Sequence, residues 1–518
     1  MNSNKAEIIQ REYDNFVTGD KLRRLIFDNA KLYRRDGFDK LDRFAQKDGH
    51  TGKVGTLFGL RRTGKTVLLH QLADMALKRG DKVAYATYSY EQHEINAVIP
   101  AIERLIQEGY KLILLDEITR TTGFYERAMY LSDSALANIV IAGTDSLALL
   151  WAMQDPLFGR TVTVKTTPMR YAEFHRLFTE KDIVEFLHYG GVIWDTEVPG
   201  SVEDYLRTSV VENITRSVNL VSYNMQLLNR DRLSQIHSET LFRMLHVICE
   251  GTVRNSLASA MNSIEEASTW KLTEVQRKSG ILSDDVGFAE IKAGLSTYYL
   301  PLDMNNLDEE DVFFLTKRLC DLGFLSETTE LTDGMKSRQT LTITQPYIKR
   351  DFVRRILSVF SSFYRTEQVL RQKLESLTDG IMLEDVVYQE AVYRYHDPKS
   401  VVPQVAKYRD SDGREIDVMI YHPGTKELIL IEVKWGSDKI PSTTEHPGGH
   451  DRWLVDEALV GRLRSFYGSA LVTKVVLYQG ETDVIANSNG VRWVNVEEWL
   501  LGRVQITVNN TYAILAST

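Results

Sequence analysis

The run GLRRTGKT, at residues 59–66, most strongly limits what this 518-residue chain can fold into. It places two glycines, a lysine and a threonine at the spacing G-x-x-x-x-G-K-[ST]. An apolar segment, Val54–Phe58, precedes this run, and an amphipathic segment, Lys65–Arg79, follows it. A glycine loop between a strand and a helix turns backbone N–H groups inward, and the positive end of the helix faces the same spot. The sequence therefore predicts a site for the phosphates of a nucleotide.

The members of this loop have separate expected roles. Lys65 would reach the β- and γ-phosphates of ATP, and the Thr66 hydroxyl would bind Mg²⁺. Arg61 and Arg62 contact phosphates, contact DNA, or do neither, a choice that the sequence leaves open. The residues expected to contact the nucleotide are Gly59, Arg61, Arg62, Thr63, Gly64, Lys65, Thr66 and Val67.

Strand-like and helix-like segments alternate between residues 53 and 168. After the first strand and helix, the pattern predicts strands at Lys82–Tyr88, Leu112–Leu115, Ile139–Ala142 and Arg160–Thr166, and helices at Ile95–Glu108 and Phe124–Ser132. Such alternation is typical of a parallel sheet with helices on both faces. We therefore expect residues 51–235 to form an α/β P-loop domain with a helical lid.

The third predicted strand ends in two carboxylates, Asp116 and Glu117. The carboxyl ends of parallel strands form the ligand-binding edge of a sheet, so both acids should lie near the phosphates. We expect Asp116 to hold Mg²⁺. Glu117 would act as the general base that polarises the attacking water.

The residues that would sense and stabilise the γ-phosphate are less sharply indicated. Thr144 follows the next strand and is the predicted sensor, although a threonine there could equally cap a helix. The charge of the transition state calls for an arginine, and the candidates are Arg160 and Arg120. Either arginine could instead be an ordinary surface residue.

A second group of charged residues occurs at residues 413–436, in GREIDVMIYHPGTKELILIEVKWG. Asp417 lies in one predicted strand, and Glu432 and Lys434 lie at the end of the next. Alternate residues of a strand share a face, so Glu432 and Lys434 point the same way. Two carboxylates and a lysine at one sheet edge are the components needed for Mg²⁺-dependent hydrolysis of a phosphodiester. The alternative is a buried Glu–Lys ion pair, because unpaired charges in an apolar strand are costly.

Three more segments complete the predicted organisation. Residues 351–518 form a third α/β block, with helices near Val353–Leu377 and Met382–Arg394 and strands at Ile416–Tyr421, Leu428–Lys434 and Val475–Tyr478. Residues 236–350 are expected to be a winged helix, because a helix at Glu309–Leu322 stops at Gly323 and a hairpin with a polar tip follows. Residues 1–50 are expected to be helical. Nine basic and five acidic residues at 20–47 form either a solvated helix face or a contact to a phosphate backbone.

Composition excludes several classes of protein. Two cysteines, Cys249 and Cys320, are too few for a disulfide scaffold or a Cys-rich zinc site and fit a reducing cytosol. No apolar run approaches the ~18 residues of a membrane span, and the polar N-terminus does not read as a signal peptide. A net charge of −9 argues against a polybasic coat protein, but it leaves a local nucleic-acid surface possible. We therefore expect a cytoplasmic protein that has no membrane partner.

Together these motifs resemble the prokaryotic AAA-type ATPases, often called archaeal-type ATPases, that carry a winged helix and a C-terminal domain similar to PD-(D/E)XK nucleases. The resemblance rests on GLRRTGKT (59–66), LILLDEI (112–118), VIAGTDS (140–146), FGR (158–160) with YAEF (171–174), FLHYGG (186–191) and D…EVK (417, 432–434). It implies ATP binding and hydrolysis and a role on DNA. Similar proteins place a glutamate in the helix before the nuclease-like sheet, and Glu384 looks like that position, where it would complete a metal site.

The chain departs from this family at two places. Asp145 follows the sensor threonine, where a small hydroxyl residue is common, and the resemblance does not explain residues 1–50. The leading hypothesis is an ATP-hydrolysing protein that acts on DNA, with a Mg²⁺-dependent nuclease-like domain gated by ATP or ADP. An arginine acting in trans would make it a homo-oligomer. The alternatives are a nucleotide-switched binding module whose nuclease-like domain is silent, and an ATPase that remodels proteins.

Overall fold

The computed structural model describes residues 2–46, 53–88, 93–133, 137–154, 157–178, 181–191, 201–220, 237–269, 309–364, 368–397, 400, 402–443, 449–483 and 485–506. The chain divides into two compact units, and each unit combines three separate stretches of sequence. The first comprises Met1–Met169, Val192–Leu245 and Met304–Phe324. The second comprises Arg170–Gly191, His246–Asp303 and Leu325–Thr518.

The helices of the described residues are numbered in chain order. They are α1 (Asn2–Asp14), α2 (Gly19–Ile26), α3 (Phe38–Ala45), α4 (Lys65–Lys78), α5 (Ile95–Gln107), α6 (Phe124–Asp133), α7 (Ser146–Gln154), α8 (Tyr171–Leu177), α9 (Ile183–Tyr189), α10 (Val202–Tyr205), α11 (Glu212–Leu220), α12 (Ser238–Thr269), α13 (Glu309–Leu322), α14 (Pro346–Tyr364), α15 (Gln368–Tyr395), α16 (Glu457–Tyr467) and α17 (Val496–Leu500). A π-helical turn, Leu206–Val211, precedes α11, and 3₁₀ turns occupy Asn29–Lys31, Ile118–Arg120 and Asp333–Met335. None of the described helices combines the length and the apolar character needed to cross a membrane.

The first unit contains a six-stranded sheet in the order β1-β3-β4-β5-β2-β6. Its strands are β1 (Val17–Thr18), β2 (Val54–Phe58), β3 (Val83–Thr87), β4 (Leu112–Asp116), β5 (Asn138–Gly143) and β6 (Thr161–Lys165). All neighbouring strands are parallel except β1, which pairs antiparallel with β3. The predicted parallel α/β sheet is confirmed, and each of its five predicted strands begins and ends within one residue of the observed bounds.

Helices cover both faces of this sheet because its strands are apolar on both sides. Ile113 and Leu115 of β4 pack into a core with α5, α6 and α7. Leu112 and Leu114 point to the other face, into a core built by α2, α3 and α4. The N-terminal helices α2 and α3 therefore belong to the core of the P-loop unit.

The second unit contains a seven-stranded sheet in the order β13-β12-β11-β10-β9-β7-β8. Its strands are β7 (Leu325–Leu331), β8 (Ser337–Ile343), β9 (Val405–Arg409), β10 (Glu415–His422), β11 (Glu427–Val433), β12 (Leu471–Tyr478) and β13 (Val491–Asn495). The antiparallel hairpin β10–β11 lies at its centre, and β11, β12 and β13 run parallel. The C-terminal α/β block that the sequence predicts is present, and the helix predicted at Met382–Arg394 is the end of the longer helix α15.

The hairpin that we assigned to the winged helix pairs through β7 with β9 and extends this second sheet. The helix before it, α13, has the predicted bounds. Residues 270–308, within the same segment, lie outside the described residues. The winged helix thus stays a prediction.

Candidate functional site

The loop between β2 and α4 has a backbone conformation that requires glycine at two positions. Gly59 has φ +151°, and a Cβ built there would lie 2.1 Å from the carbonyl oxygen of Thr166. Gly64 has φ +80° and forms the N-cap of α4. Left-handed conformations of this kind cost little only for a residue without a side chain. The predicted loop is thus formed as its sequence pattern indicates, directly before a helix N-terminus.

Lys65 lies over this loop. The residue is only 5% exposed, and Nζ donates hydrogen bonds to the carbonyl oxygens of Gly59 at 2.7 Å and Leu60 at 2.8 Å. Burial lowers the pKa of Lys65 to about 8, against the charges of Glu117 and Asp116. A phosphate in the loop would offer this ammonium a charged acceptor, which forms stronger hydrogen bonds than a neutral carbonyl.

Thr66 and Asp116 meet at the carboxyl end of β4. The Thr66 hydroxyl donates to Asp116 Oδ2 at 2.7 Å, and the Tyr85 hydroxyl donates to the same oxygen at 3.2 Å. Burial raises the pKa of Asp116, while the hydrogen bond from Thr66 opposes that rise. A hydroxyl and a carboxylate oxygen are ligands that Mg²⁺ accepts, so this donor set fits the predicted ion.

Glu117 and Thr144 form the neighbouring pair. Thr144 donates to Glu117 Oε2 twice, from its backbone N at 3.0 Å and from its hydroxyl at 2.6 Å. Arg120 Nε lies 3.6 Å from the same oxygen. Glu117 adopts a left-handed conformation, with φ +57°, which a non-glycine residue adopts at a cost of about 1–2 kcal/mol. The structure therefore brings the predicted base and the predicted sensor together and adds Arg120 to them.

Arg160 lies at the opposite edge of the sheet. Its carbonyl oxygen accepts from Val54 N at 2.8 Å, so it stands beside the start of β2, whereas the loop follows Phe58 at the end. Five residues of strand separate the two positions by about 16 Å. The Arg160 side chain bonds Ser132 Oγ at 3.2 Å. The structure therefore does not bring Arg160 to the loop of its own chain, and a role for Arg160 in trans stays a prediction.

Sequence reasoning did not identify Arg35, which belongs to the N-terminal segment. The residue is 8% exposed, and Nη1 donates to the carbonyl oxygens of Thr63 at 2.7 Å and Thr167 at 3.0 Å. One guanidinium thus ties the phosphate-binding loop to the segment that follows β6. No local pattern distinguishes Arg35 from the exposed arginine beside it.

Helix α11, in the segment predicted to be a lid, also contributes residues to the site. Glu212, the first residue of α11, pairs with Arg61 of the loop at 3.4 Å and with Arg216 at 3.3 Å. The Asn213 amide donates to the Thr144 carbonyl oxygen. Arg61 is therefore in contact with the lid, and Arg62 is exposed with φ +63°.

Asp417, Glu432 and Lys434 form a second charged site in the other unit. Lys434 Nζ lies 3.0 Å from Glu432 Oε2 and 3.8 Å from Asp417 Oδ2. Asp417 Oδ2 also accepts from the backbone N of Val433 at 2.7 Å. Both carboxylates therefore lie near the Lys434 ammonium group. The alternation along β11 predicts that Glu432 and Lys434 share a face.

Glu384 and Lys407 lie beside this group. Lys407 Nζ is 3.7 Å from Glu384 Oε2 and 3.7 Å from Asp385 Oδ1. Burial, followed by the charge of Asp417, raises the pKa of Glu384 to about 8. Sequence reasoning identified Glu384 from the resemblance but missed Lys407, which lies on β9.

The fit of a divalent cation to this second site depends on its carboxylates. Within the described ranges, no three acidic, histidine or cysteine side chains are already grouped as a metal site. However, Glu432 Oε1 is buried and, among the described residues, has no hydrogen-bond partner. Burial raises the pKa of Glu432 well above its ordinary value, and Lys434 opposes that rise. A buried carboxylate oxygen without a partner beside a second carboxylate suits a hard cation.

Comparisons with known proteins agree with the geometry of the first site. A family model described as "AAA domain" matches residues 51–175, and one described as "Domain of unknown function (DUF4143)" matches residues 379–448. An uncharacterized protein of Haemophilus influenzae is 26% identical over 179 residues, which are 31% of this chain and 44% of that protein. An uncharacterized protein of Methanocaldococcus jannaschii is 27% identical over 127 residues, or 24% of this chain and 28% of that protein. The chain thus aligns with less than half of the length of either relative.

Solved structures were also compared. The Aeropyrum pernix ORC1 protein in complex with DNA has 13% identity and a TM-score of 0.23, covering 67% of this chain and 97% of that one. A DNA replication initiation factor has 17% identity and a TM-score of 0.20, covering 60% and 95%. AMPPCP-bound DnaA from Aquifex aeolicus has 16% identity and a TM-score of 0.19, covering 60% and 90%. These scores carry no functional argument. The family match and the loop geometry agree that residues 51–175 are similar to an AAA domain and form a P-loop fold.

Proposed function

We propose that the AAA-type domain hydrolyses ATP with Mg²⁺, and that its nucleotide state controls a nuclease-like site that acts on DNA. The observation that carries the ATPase part is the grouping of Lys65, Thr66, Asp116 and Glu117 at the carboxyl edge of one parallel sheet. Lys65 would bind the β- and γ-phosphates. Thr66 and Asp116 would hold Mg²⁺, which when bound neutralises phosphate charge.

Glu117 would orient the attacking water. Its carboxylate is already fixed by two hydrogen bonds from Thr144, so little reorganisation is needed before reaction. Arg120, 3.6 Å from the same oxygen, would respond to charge that develops on the γ-phosphate. Arg160 could supply its charge only to a second copy of the chain.

The loop is also connected to the chain that enters the other unit, which supports the gating part of the proposal. Thr63 and Thr166 share a hydrogen bond of 2.8 Å between their hydroxyls, and Arg35 bridges Thr63 to Thr167. Residue 170 begins the second unit. A shift of the loop on nucleotide exchange would therefore act on residues 167–169, the three residues that directly precede the second unit.

In the second unit, Asp417 and Glu432 would hold a divalent cation, with Glu384 as a further ligand. A bound Mg²⁺ supplies Lewis acidity toward a phosphodiester and a more acidic water. Lys434, already 3.0 Å from Glu432, would orient that water or the phosphate. The buried, unpartnered Oε1 of Glu432 supports this assignment.

A silent, DNA- or protein-binding module is the second candidate for this unit. The observation in its favour is that lysines already neutralise the acids: Lys434 pairs with Glu432 and Asp417, and Lys407 pairs with Glu384. Ammonium groups in these places would hold the fold together without a metal.

One experiment separates the two candidates. ATP turnover and cleavage of mixed DNA substrates are followed in the same tubes, with Mg²⁺, for wild type, Lys65→Ala and Lys434→Ala. Lys78→Ala, on the same helix as Lys65, and Lys439→Ala, an exposed lysine paired with Asp483, are the matched controls. We expect Lys65→Ala to lose turnover, and Lys434→Ala to lose cleavage alone.

Two outcomes would contradict parts of this proposal. ATP turnover without cleavage in any protein would favour the silent module. Turnover that persists in Lys65→Ala would refute the assignment of the loop.

A further inference from the structure

An exposed stretch of the N-terminal segment carries several large apolar side chains. Leu25, Phe27, Leu32 and Tyr33 are 48%, 59%, 46% and 59% exposed. They are four of the fifteen exposed large hydrophobic residues in the described part of the chain, and they lie within nine consecutive positions. Such a concentration marks an interaction surface, whereas single exposed apolar residues are ordinary.

Exposed basic residues alternate with these side chains along the sequence. We name this surface the basic-aromatic face and define it by the exposed residues Lys21, Arg23, Arg24, Leu25, Phe27, Lys31, Leu32, Tyr33 and Arg34. Its five cations exceed the two acids of the same stretch, Asp20 and Asp28. Lys31 Nζ lies 3.4 Å from the centroid of the Phe27 ring. The local charge is therefore positive on a protein whose net charge is −9.

The face is held in place from beneath. Leu22 and Ile26, on the inner side of α2, are buried in the core with α4. Gln71 of α4 donates to the Leu32 carbonyl oxygen at 2.7 Å, and the Asn29 amide lies 2.8 Å from His70 Nδ1. The exposed rings therefore project from a fixed backbone, and binding would not require this stretch to become ordered.

We propose that the basic-aromatic face binds single-stranded nucleic acid. Exposed rings beside cations provide both contacts that such a ligand needs, since bases stack on aromatic faces and phosphates pair with Lys and Arg. A duplex would contact the cations but would leave Phe27 and Tyr33 unused, because its bases are already stacked. A second copy of this acidic chain would contact the cations but offers no bases to the rings. The face shares no residue with the nuclease-like site, and binding to it does not depend on cleavage.

The face is also linked to the phosphate-binding loop, through the residue that follows it in sequence. Tyr33 and Arg34 directly precede Arg35, whose guanidinium holds the Thr63 carbonyl oxygen. A ligand that shifts Tyr33 would thus act on the loop through two residues of backbone. We therefore expect the bound strand to change the apparent affinity for ATP.

Binding is tested by fluorescence anisotropy of a labelled oligothymidylate and of a mixed-sequence duplex of equal length. The full chain is compared with Phe27→Ala/Tyr33→Ala and with Arg23→Gln/Arg24→Gln. Phe313→Ala, which removes a 71% exposed aromatic ring from α13, is the control. ATP turnover without oligonucleotide confirms that each variant is folded.

We expect the double aromatic variant to bind the single strand at least about tenfold more weakly, since one stacked base is worth about 1–3 kcal/mol. A plot of log affinity against log salt concentration has a negative slope, and the double arginine variant should make that slope shallower by about 1.4. Equal binding by the aromatic variant and wild type would refute the assignment of the basic-aromatic face as the binding surface, while the proposed DNA role would remain. If wild type binds the duplex alone, the single-strand assignment fails. If wild type binds neither oligonucleotide, both the basic-aromatic face and the proposed DNA role are refuted.

Discussion

Replacement of Arg35 by alanine tests how the N-terminal segment supports the nucleotide site. The substitution removes two charge-assisted hydrogen bonds, to the carbonyl oxygens of Thr63 and Thr167. Such bonds contribute about 1.5–3 kcal/mol each, and their loss removes a donor from the buried Thr63 carbonyl group and from the partly buried Thr167 carbonyl group. We therefore expect the free energy of unfolding to fall by about 3 kcal/mol or more.

The same change should weaken nucleotide binding. Thr63 lies within the loop, so the loop of the Arg35→Ala variant must be ordered by the ligand, at the expense of binding energy. A cost of about 1.4 kcal/mol raises the Kd for ATP about tenfold. Turnover at saturating ATP should change much less, because the groups expected to act in hydrolysis, Lys65 and Glu117, remain in place.

The measurements are urea unfolding of the apo protein and titration with a fluorescent ATP analogue. Arg34→Ala, at the exposed neighbouring position, is the control, and Arg35→Lys asks whether one ammonium can replace the guanidinium. A normal Kd together with reduced stability would show that Arg35 is only a structural residue. An unchanged unfolding free energy would refute the hydrogen-bond argument itself.

Other expectations concern single side chains. Lys65→Ala should abolish ATP binding while Lys78→Ala binds normally, as measured by the same titration. Thr144→Val should lower kcat about tenfold with KM unchanged, because Glu117 loses its 2.6 Å hydrogen bond; a changed KM with normal kcat would contradict this role. Burial lowers the pKa of His70 to about 4, so the unfolded chain binds the extra proton between pH 6.5 and 4. As the pH falls over that interval, the free energy of unfolding of the wild type should decrease by up to about 3 kcal/mol more than that of His70→Gln. Urea unfolding at each pH measures this difference. Calorimetry should detect Mn²⁺ binding that disappears in Glu432→Gln; binding that persists would place the metal elsewhere.

Local patterns predicted the parts of this protein that local chemistry determines. The apolar run at Leu112–Leu115 and the glycine spacing at 59–66 predicted a strand and a loop, and both lie within one residue of the predicted positions. The pairing of Glu432 with Lys434 also follows from strand alternation. These features depend on residues that are close together in sequence.

Features that depend on long-range packing were not accessible in this way. Arg35 bonds a carbonyl 132 positions away, and its neighbour in sequence is exposed. Lys407 reaches Glu384 because β9 packs against α15, and neither segment alone indicates this packing. Arg160 was placed by its motif, but only the register of β2 and β6 shows which edge of the sheet it occupies.

The division of each compact unit among three separate stretches of sequence has a practical consequence for work on this protein. No single cut in the chain releases the ATPase unit intact, since a fragment ending at residue 169 lacks Glu212 and Asn213, and one beginning at residue 51 lacks α2, α3 and Arg35. Exchange of whole domains with a relative would meet the same obstacle. The two units should therefore be expressed together, and their separate functions are best resolved by point substitutions.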